Sequence, residues 1–259
     1  MHSAERDRVI LNLLDEQRFV SFRELSHRLS ASPATLRRDL DRLQDAGKLK
    51  RVRGGAQIGE ATELSGFHLQ GVPFHENVGR NRTAKEAIGK AAAALCKPGE
   101  AVIIDGGSTT LQMCPYLEPL KLQVLTNSLH LASALLQQPN TGVSLTGGVV
   151  FREQNIVLDP FTDAAARTFH ASRMFVGSAA VGRFGLMQSD VILVQAERKL
   201  LNLADQLIAL VDSAKFAASA AHPLCALSRV HTLITDDHID DASAQMVEQN
   251  GVKLIAVAV

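Results

Sequence analysis

The run Asp105-Gly106-Gly107-Ser108-Thr109-Thr110 places one carboxylate, two residues without side chains and three hydroxyls directly after an apolar stretch, Ala101–Ile104. The glycines permit a tight turn with bare amides, while the hydroxyls and the start of a following helix favour an anion, so the run resembles a phosphate cradle. Comparable groups follow three further apolar stretches: Thr126-Asn127, Gly147-Gly148 and Asp212-Ser213-Ala214-Lys215. One such group is ordinary turn chemistry. Four converging at one edge of a sheet would offer amides, an amide side chain, a carboxylate and an ammonium, which suits a phosphorylated polyol or sugar. Lys215 is expected to meet the phosphate or a lactone oxygen as a point charge, and Asp105 and Asn127 to bond hydroxyls. Arg152, five residues beyond Gly147, is a further candidate for the same anion.

A second set is cationic. Residues 1 to 58 hold 12 Lys and Arg against 8 Asp and Glu, net +4, which leaves −4 for the rest of a chain whose overall charge is zero. Between Arg37 and Arg53 stand Arg37, Arg38, Arg42, Lys48, Lys50, Arg51 and Arg53 against three acidic residues, a density suited to a polyanion. A charge run is more often a solvated helix face, so the elements beneath it decide.

Those elements read clearly. Val9, Ile10, Leu13 and Leu14 recur at helical spacing, predicting a helix over roughly 4 to 16, with Phe19 and Val20 extended after it. Ser21-Phe22-Arg23-Glu24 is a capping box that opens a second helix. Ser32-Pro33 is an N-cap followed by proline at the first helical position, opening a third helix that ends near Gly47. In that helix Leu36, Leu40 and Leu43 form the buried stripe, which turns Ala34, Arg38 and Asp41 outward with Thr35 and Arg37 on the flanks. Two helices joined by a short turn, the second with a small, hydroxylated and basic face, describe a helix-turn-helix that enters the major groove. Lys48 to Ala56 then alternates roughly through Gly54-Gly55, as a β-wing would. Ser32, Ala34, Thr35, Arg37, Arg38 and Arg42 are expected at the DNA. Arg37 and Arg38 suit base edges, and Lys48, Lys50, Arg51 and Arg53 suit phosphates.

Residues 58 to 74 lack sustained periodicity and read as a linker between a winged helix at 1–57 and an α/β domain at 75–259. Ala84 to Leu95 is an alanine-rich helix stopped by Lys97-Pro98-Gly99. Apolar runs at Ala101–Ile104, Leu122–Thr126, Val143–Thr146, Met174–Gly177, Gln206–Val211, Val230–Thr235 and Val252–Val257 have strand length. Helical stretches near 128–137, 191–204 and 240–249 separate several of them, so a largely parallel sheet covered by helices is expected. Ligands in such sheets gather beyond the C-terminal strand ends.

At 259 residues with 46% hydrophobic and 21% charged composition, the chain suits two ordinary globular domains. Without an apolar run of roughly 18 residues and with a polar start, it is expected to be cytoplasmic. Cys96, Cys114 and Cys225 are odd in number and far apart, so they read as buried thiols. The nine histidines lack the close pairing of a helical zinc site, and Asp236, Asp237, Asp240 and Asp241 are explained by helix capping, so neither a metal nor another cofactor is expected. Catalysis is the rival function, because Asp105 or Glu197 could serve as a general base. No spacing pairs either with an acid, so an enzyme is not expected. The alternatives are a sugar-phosphate isomerase-like enzyme with a DNA-tethering arm, or an architectural DNA binder without an effector.

Leu25 to Ala56, through Ser32-Pro33-Ala34-Thr35-Leu36-Arg37-Arg38-Asp39-Leu40, Leu43, Gly47 and Gly54-Gly55-Ala56, resembles the winged helix of DeoR-family sugar-metabolism regulators. The Asp105 loop, Thr126-Asn127, Gly147-Gly148 and Asp212 to Lys215 are similar to that family's effector domain, whose fold resembles ribose-5-phosphate isomerase. Ser32 to Arg53, Lys97 to Glu100, Gly107 to Thr109 and Leu210 to Lys215 look closest to the subfamily of L-ascorbate utilisation repressors, whose effector is a phosphorylated ascorbate. The resemblance implies a homo-oligomeric repressor that binds operator DNA and is released by a phosphorylated sugar or sugar acid. Three departures stand out: Ser108 replaces the usual threonine, an arginine common shortly after a position like Phe74 is absent, and Pro115 predicts a short or kinked helix after the cradle.

Overall fold

A computed structural model describes residues 3–17, 19–29, 31–45, 49–52, 54–58, 69, 71–158 and 169–259. The chain divides into two compact units, residues 1–67 and 68–259.

In the first unit α1 (Ser3–Gln17), β1 (Phe19–Ser21), α2 (Phe22–Leu29) and α3 (Pro33–Asp45) precede the hairpin β2 (Leu49–Val52) and β3 (Gly55–Ile58). The capping box forms, with Ser21 Oγ accepting from the Glu24 amide at 3.1 Å. Ser32 Oγ likewise accepts from the Thr35 amide at 3.2 Å at the head of α3. Leu36, Leu40 and Leu43 are buried with Ile10, Leu14, Val20, Leu25 and Leu29 in one core, as the leucine spacing requires. Strand β3 lies between β1 and β2, all antiparallel. Gly55 is obligatory there, because a Cβ would lie 2.2 Å from the Val20 carbonyl oxygen. The fold is a winged helix.

One device was hidden by the charge run. Asp39, on α3, is buried and accepts from Arg6 Nε at 2.7 Å and Nη2 at 3.2 Å, and from Arg42 Nη2 at 3.1 Å. Arg42 also grips Asp7 through two 2.7 Å bonds. These bonds tie α1 to α3. Burial alone would raise the Asp39 pKa, but the bonds from Arg6 and Arg42 outweigh it and hold the carboxyl below its ordinary value.

The second unit continues with α4 (Phe74–Asn77), α5 (Arg82–Ala93), β4 (Ala101–Ile104), β5 (Gln123–Thr126), α6 (Leu129–Leu135) and β6 (Gly142–Leu145). After β7 (Val149–Phe151) and β8 (Ile156–Leu158) come β9 (Ala171–Val176), β10 (Ala180–Gly182), β11 (Gly185–Gln188), α7 (Val191–Leu201) and β12 (Ala204–Leu210). It closes with β13 (His222–Cys225), β14 (Thr232–Asp236), α8 (Asp241–Gln249) and β15 (Lys253–Val257). Seven strands form one parallel sheet in the order β15-β14-β12-β9-β4-β5-β6. Alternate side chains fill two cores, so the strands read as unbroken apolar runs. Val102, Ile104, Val124, Phe175, Ile208 and Ile234 pack with Ile88 and Ala92 of α5 and Leu131 of α6. Ile103, Leu125, Met174, Val176, Ala209 and Leu233 pack with Val194 and Leu200 of α7 and Val247 of α8.

After β4, Thr110–Tyr116 forms a 3₁₀ helix containing Pro115, the short helix that proline imposes. Asp240 caps α8 by accepting from the Ser243 amide at 2.8 Å. Cys96 and Cys114 are buried, whereas Cys225 is only half-buried; all three are free thiols. Among the described residues no helix is long and apolar enough to cross a membrane.

Asp39→Asn removes the charge that Arg6 and Arg42 share, so the winged helix should melt at lower temperature near neutral pH. Because the folded-state pKa lies below about 3.8, the wild-type advantage is full above that value and fades as pH falls through the lower one. Melting curves of both proteins across acid pH check this, and equal stabilities near pH 7 contradict it.

Candidate functional site

The outward face of α3 carries Ala34, Arg37 and Arg38, all exposed, with Thr35 half-buried and its Oγ1 2.9 Å from Ser32 Oγ at the exposed helix start. The Arg37 guanidinium lies 5.7 Å from the centroid of the Phe22 ring, which steadies it at the edge of α2. Arg42, expected at the DNA, is tied to Asp7 and Asp39 within the fold, because α1 places its acidic residues beside it. Arg51 pairs with Asp41, and its amide donates to Gln44 Oε1 at 2.8 Å, joining the wing to α3. Lys50 lies on β2. Lys48 and Arg53 lie outside the described residues.

In the second unit the chain starts at β4 in mid-sheet, runs outward through β5 to β6, and then crosses to β9 on the other side before proceeding to β15. The loops after β4 and β9 therefore leave in opposite directions, which opens a crevice at their C-terminal ends. A cavity of about 470 Å³ lies there, within the range for one small ligand. Asp105, Gly106, Gly107, Ser108 and Thr109 from the β4 loop and Lys215 from the β12 loop line it, together with Gly177 and Ser178 after β9.

Thr126 and Asn127 sit behind the cradle. Asn127 is buried, donates to Asp105 Oδ1 at 2.8 Å and accepts from the Gly106 amide at 2.7 Å. The Gly107 amide donates to Thr110 Oγ1 at 2.9 Å, and that hydroxyl donates onward to the Asp105 carbonyl at 2.7 Å. The two glycine amides expected to be bare are thus engaged inside the loop, and the 3₁₀ helix that follows is too short to supply an anion site of its own. Glycine is still required at 106, where a Cβ would come within 2.4 Å of Ile156 Cγ2. Gly147, Gly148 and Arg152 are exposed and do not line the cavity. The two glycines belong to the turn from β6 into β7 and Arg152 to the turn from β7 into β8, and β6 is the sheet edge, away from the reversal.

Besides Lys215, positive charge comes from side chains that spacing did not single out. Lys85 of α5 lines the cavity, is 1% exposed, and donates to the Asn77 carbonyl and, at 3.3 Å, to Asn77 Oδ1. Burial lowers its pKa to about 8, although Asp212 pulls it up; Lys215 and Arg80 add to the lowering. A signal existed: Lys85, Ile88, Ala92 and Ala93 share the buried face of α5, where a lysine is out of place. Asn81, in the left-handed conformation at φ 50°, donates to Asp212 Oδ1 at 2.8 Å. Among the described residues the second oxygen of Asp212, which is buried, has no partner, although this residue lines the cavity and is 2% exposed. Such an oxygen awaits a donor.

Two more carboxyls line the same space. Glu197 of α7 is 2% exposed, and both its oxygens accept from Gln188 Nε2, at 3.0 and 2.9 Å. Burial raises it well above the ordinary range, and the charge of Asp105 raises it further. Burial also pushes Asp105 up to about 6 against the bonds from Asn127 and Gly106.

A winged helix and a parallel sheet with a polar cavity at its reversal define a ligand-sensing DNA-binding regulator. The DeoR-like helix-turn-helix domain matches residues 6–62, and the DeoR C terminal sensor domain matches residues 80–237. This chain belongs to the DeoR family of transcriptional regulators. It is 32% identical over 258 residues to the HTH-type transcriptional regulator UlaR of Shigella dysenteriae serotype 1, covering 99% of this chain and 100% of that one. The UlaR of Salmonella arizonae is similar to the same extent, 32% over 258 residues with 99% and 100% covered. Ribose 5 phosphate isomerase A from Neisseria gonorrhoeae shares 12% identity at a TM-score of 0.38, over 52% of this chain and 53% of that one, a likeness too partial to speak of activity.

Lys85→Met removes a cation that folding desolvates. Between about pH 8 and the ordinary lysine value of 10.5 the unfolded wild type binds more protons than the folded form, so its stability relative to the variant should rise with pH there. Denaturation of both proteins across that window measures the difference; a flat difference rejects the burial account of Lys85.

Proposed function

We propose that this protein is a cytoplasmic repressor of a sugar or sugar-acid utilisation operon, released from operator DNA when a phosphorylated sugar-type effector fills the cavity. The observation that carries this is the cavity itself: Lys85, Lys215 and Arg80 line it together with the unpartnered oxygen of Asp212. Clustered cations bind a phosphate, and an orphaned carboxylate oxygen accepts from a hydroxyl. Asp105 and the hydroxyls of Ser108 and Thr109 suit the remaining oxygens of a polyol. In this reading the DNA reader spans 1–57, the linker 58–74 and the sensor 75–259. The chain binds and does not turn over its ligand.

Arg37 and Arg38 read base edges from α3, Ser32, Ala34 and Thr35 pack at the groove, and Lys48, Lys50, Arg51 and Arg53 hold phosphates. Arg42 instead fixes α3 for them. A homo-oligomer supplies paired readers for a symmetric operator. Effector binding favours an arrangement of lower operator affinity, a coupling of typically ~1–3 kcal/mol.

If each of two readers neutralises about three or four phosphates, the log–log salt dependence of operator binding should have a slope of roughly −5 to −7. Arg38→Ala should relax base choice while Lys50→Ala weakens all sequences alike. A slope near zero, or the opposite pattern in the two variants, rejects these roles. A thermal-shift screen with phosphorylated sugars, polyols and L-ascorbate 6-phosphate should give a ligand whose stabilisation is lost in Lys215→Ala and which releases operator DNA. Stabilisation that survives that substitution places the ligand elsewhere.

A further inference from the structure

The cations of the cavity account for the anionic end of an effector, and the same cavity holds two buried carboxyls. Asp105 and Glu197 are 3% and 2% exposed and both line the cavity. Among the described residues their oxygens are bonded by amides, Asn127 Nδ2 for Asp105 and Gln188 Nε2 for Glu197, and not by a lysine or arginine. Desolvation raises both carboxyls and the charge of Asp105 raises Glu197 further, so the pair is biased toward holding a proton.

Among the described residues, the strands that pack on the helix of Glu197 bring few charged groups. Helix α7 packs on β8, β11, β12 and β13. Strands β8 and β11 carry no ionisable residue, and β12 brings only Asp205 at its exposed start. Strand β13 brings His222 and Cys225, whose thiol is pushed up to about 11 by burial. Arg198, the next residue on α7, donates to the carbonyls of Pro223 and Leu224. Lys85, Lys215, Arg80 and Asp212 line the same cavity.

We propose that Asp105 and Glu197 act together as a one-proton donor that recognises an uncharged carbonyl or lactone oxygen at the end of the effector remote from its phosphate, and that they reject a carboxylate there. This rests on the effector reading of the cavity. A protonated carboxyl donates a hydrogen bond that an ionised one cannot, whereas a ligand carboxylate entering beside the pair meets like charge. The ligand class narrows accordingly, from any phosphorylated polyol to a phosphorylated ketose or lactone.

The test uses calorimetric titration of the full-length protein with D-ribulose 5-phosphate, L-ascorbate 6-phosphate, 6-phospho-D-gluconate and inorganic phosphate, in the wild type and in Glu197→Gln. Glutamine keeps a donor at every pH. Above neutrality the wild type should lose affinity for the carbonyl or lactone probe by up to about tenfold more per pH unit than Glu197→Gln does. The titration of Lys85 is common to both proteins and cancels in the comparison. 6-Phospho-D-gluconate should bind the variant more tightly than the wild type. Infrared spectra of the ligand-free protein should show the C=O stretch of a protonated carboxylic acid near neutral pH, lost in Glu197→Gln. Parallel pH profiles, or no such band in the wild type, overturn the proton donor while leaving the cavity as an effector site. Failure of all four probes to bind the folded wild type overturns both.

Discussion

A parallel sheet can open a crevice only where its chain reverses direction across the sheet, and here that happens between β4 and β9. The functional half of the molecule follows from this constraint. The β4 loop turns one way and delivers the Asp105 cradle, the β9 loop turns the other way and delivers Gly177 and Ser178, and the neighbouring β12 adds Asp212 and Lys215. The buried Asn127 at the end of β5 braces the cradle from behind by engaging both Asp105 and Gly106. Strand β6, though its end carries similar residues, is at the edge and contributes nothing to the cavity wall.

The cavity is also where the second unit is least at ease. Lys85, Asp105, Glu197 and Asp212 are all nearly inaccessible to water; the first three are shifted toward their neutral forms, and among the described residues Asp212 lacks a partner for one oxygen. A stability-optimised interior would replace them with apolar groups. In the winged helix the opposite holds: Asp39 is buried, yet Arg6 and Arg42 satisfy it. The same residue type thus serves architecture in one unit and leaves an open demand in the other, and the difference lies in whether the fold supplies the counter-charge.

The sequence made the regular parts of both units legible, because each rests on local chemistry. Ser21 and Ser32 announced their helices through capping, and the spacing of Leu36, Leu40 and Leu43 fixed which face of α3 is outward. The seven parallel strands stood out as apolar runs because helices cover both faces. Hairpin strands such as β7, β8, β10 and β11 escaped notice, being only three or four residues long with too few positions to show alternation. Within the site, Asp105 and Lys215 were visible because they follow strands directly. Lys85, Asn81 and Asp212 meet through a contact 131 residues apart between Asn81 and Asp212, which no local pattern encodes. Arg42, expected at the DNA, is exposed and also tied to Asp7 and Asp39, because a charge run does not say which of its members a distant helix will claim.

The walls of the cavity are drawn from segments between Gly71 and Ser219, including α5, the β4 loop, α7 and the turn after β12. No short fragment contains them, so the cup comes into being only when the sheet has been assembled across its reversal. Contacts of such long sequence separation form slowly and late. A small molecule that fits the cup therefore has no affinity for partly folded chains and favours only the finished unit. The metabolite that such a regulator senses is, by the same geometry, a quality check on its own sensor.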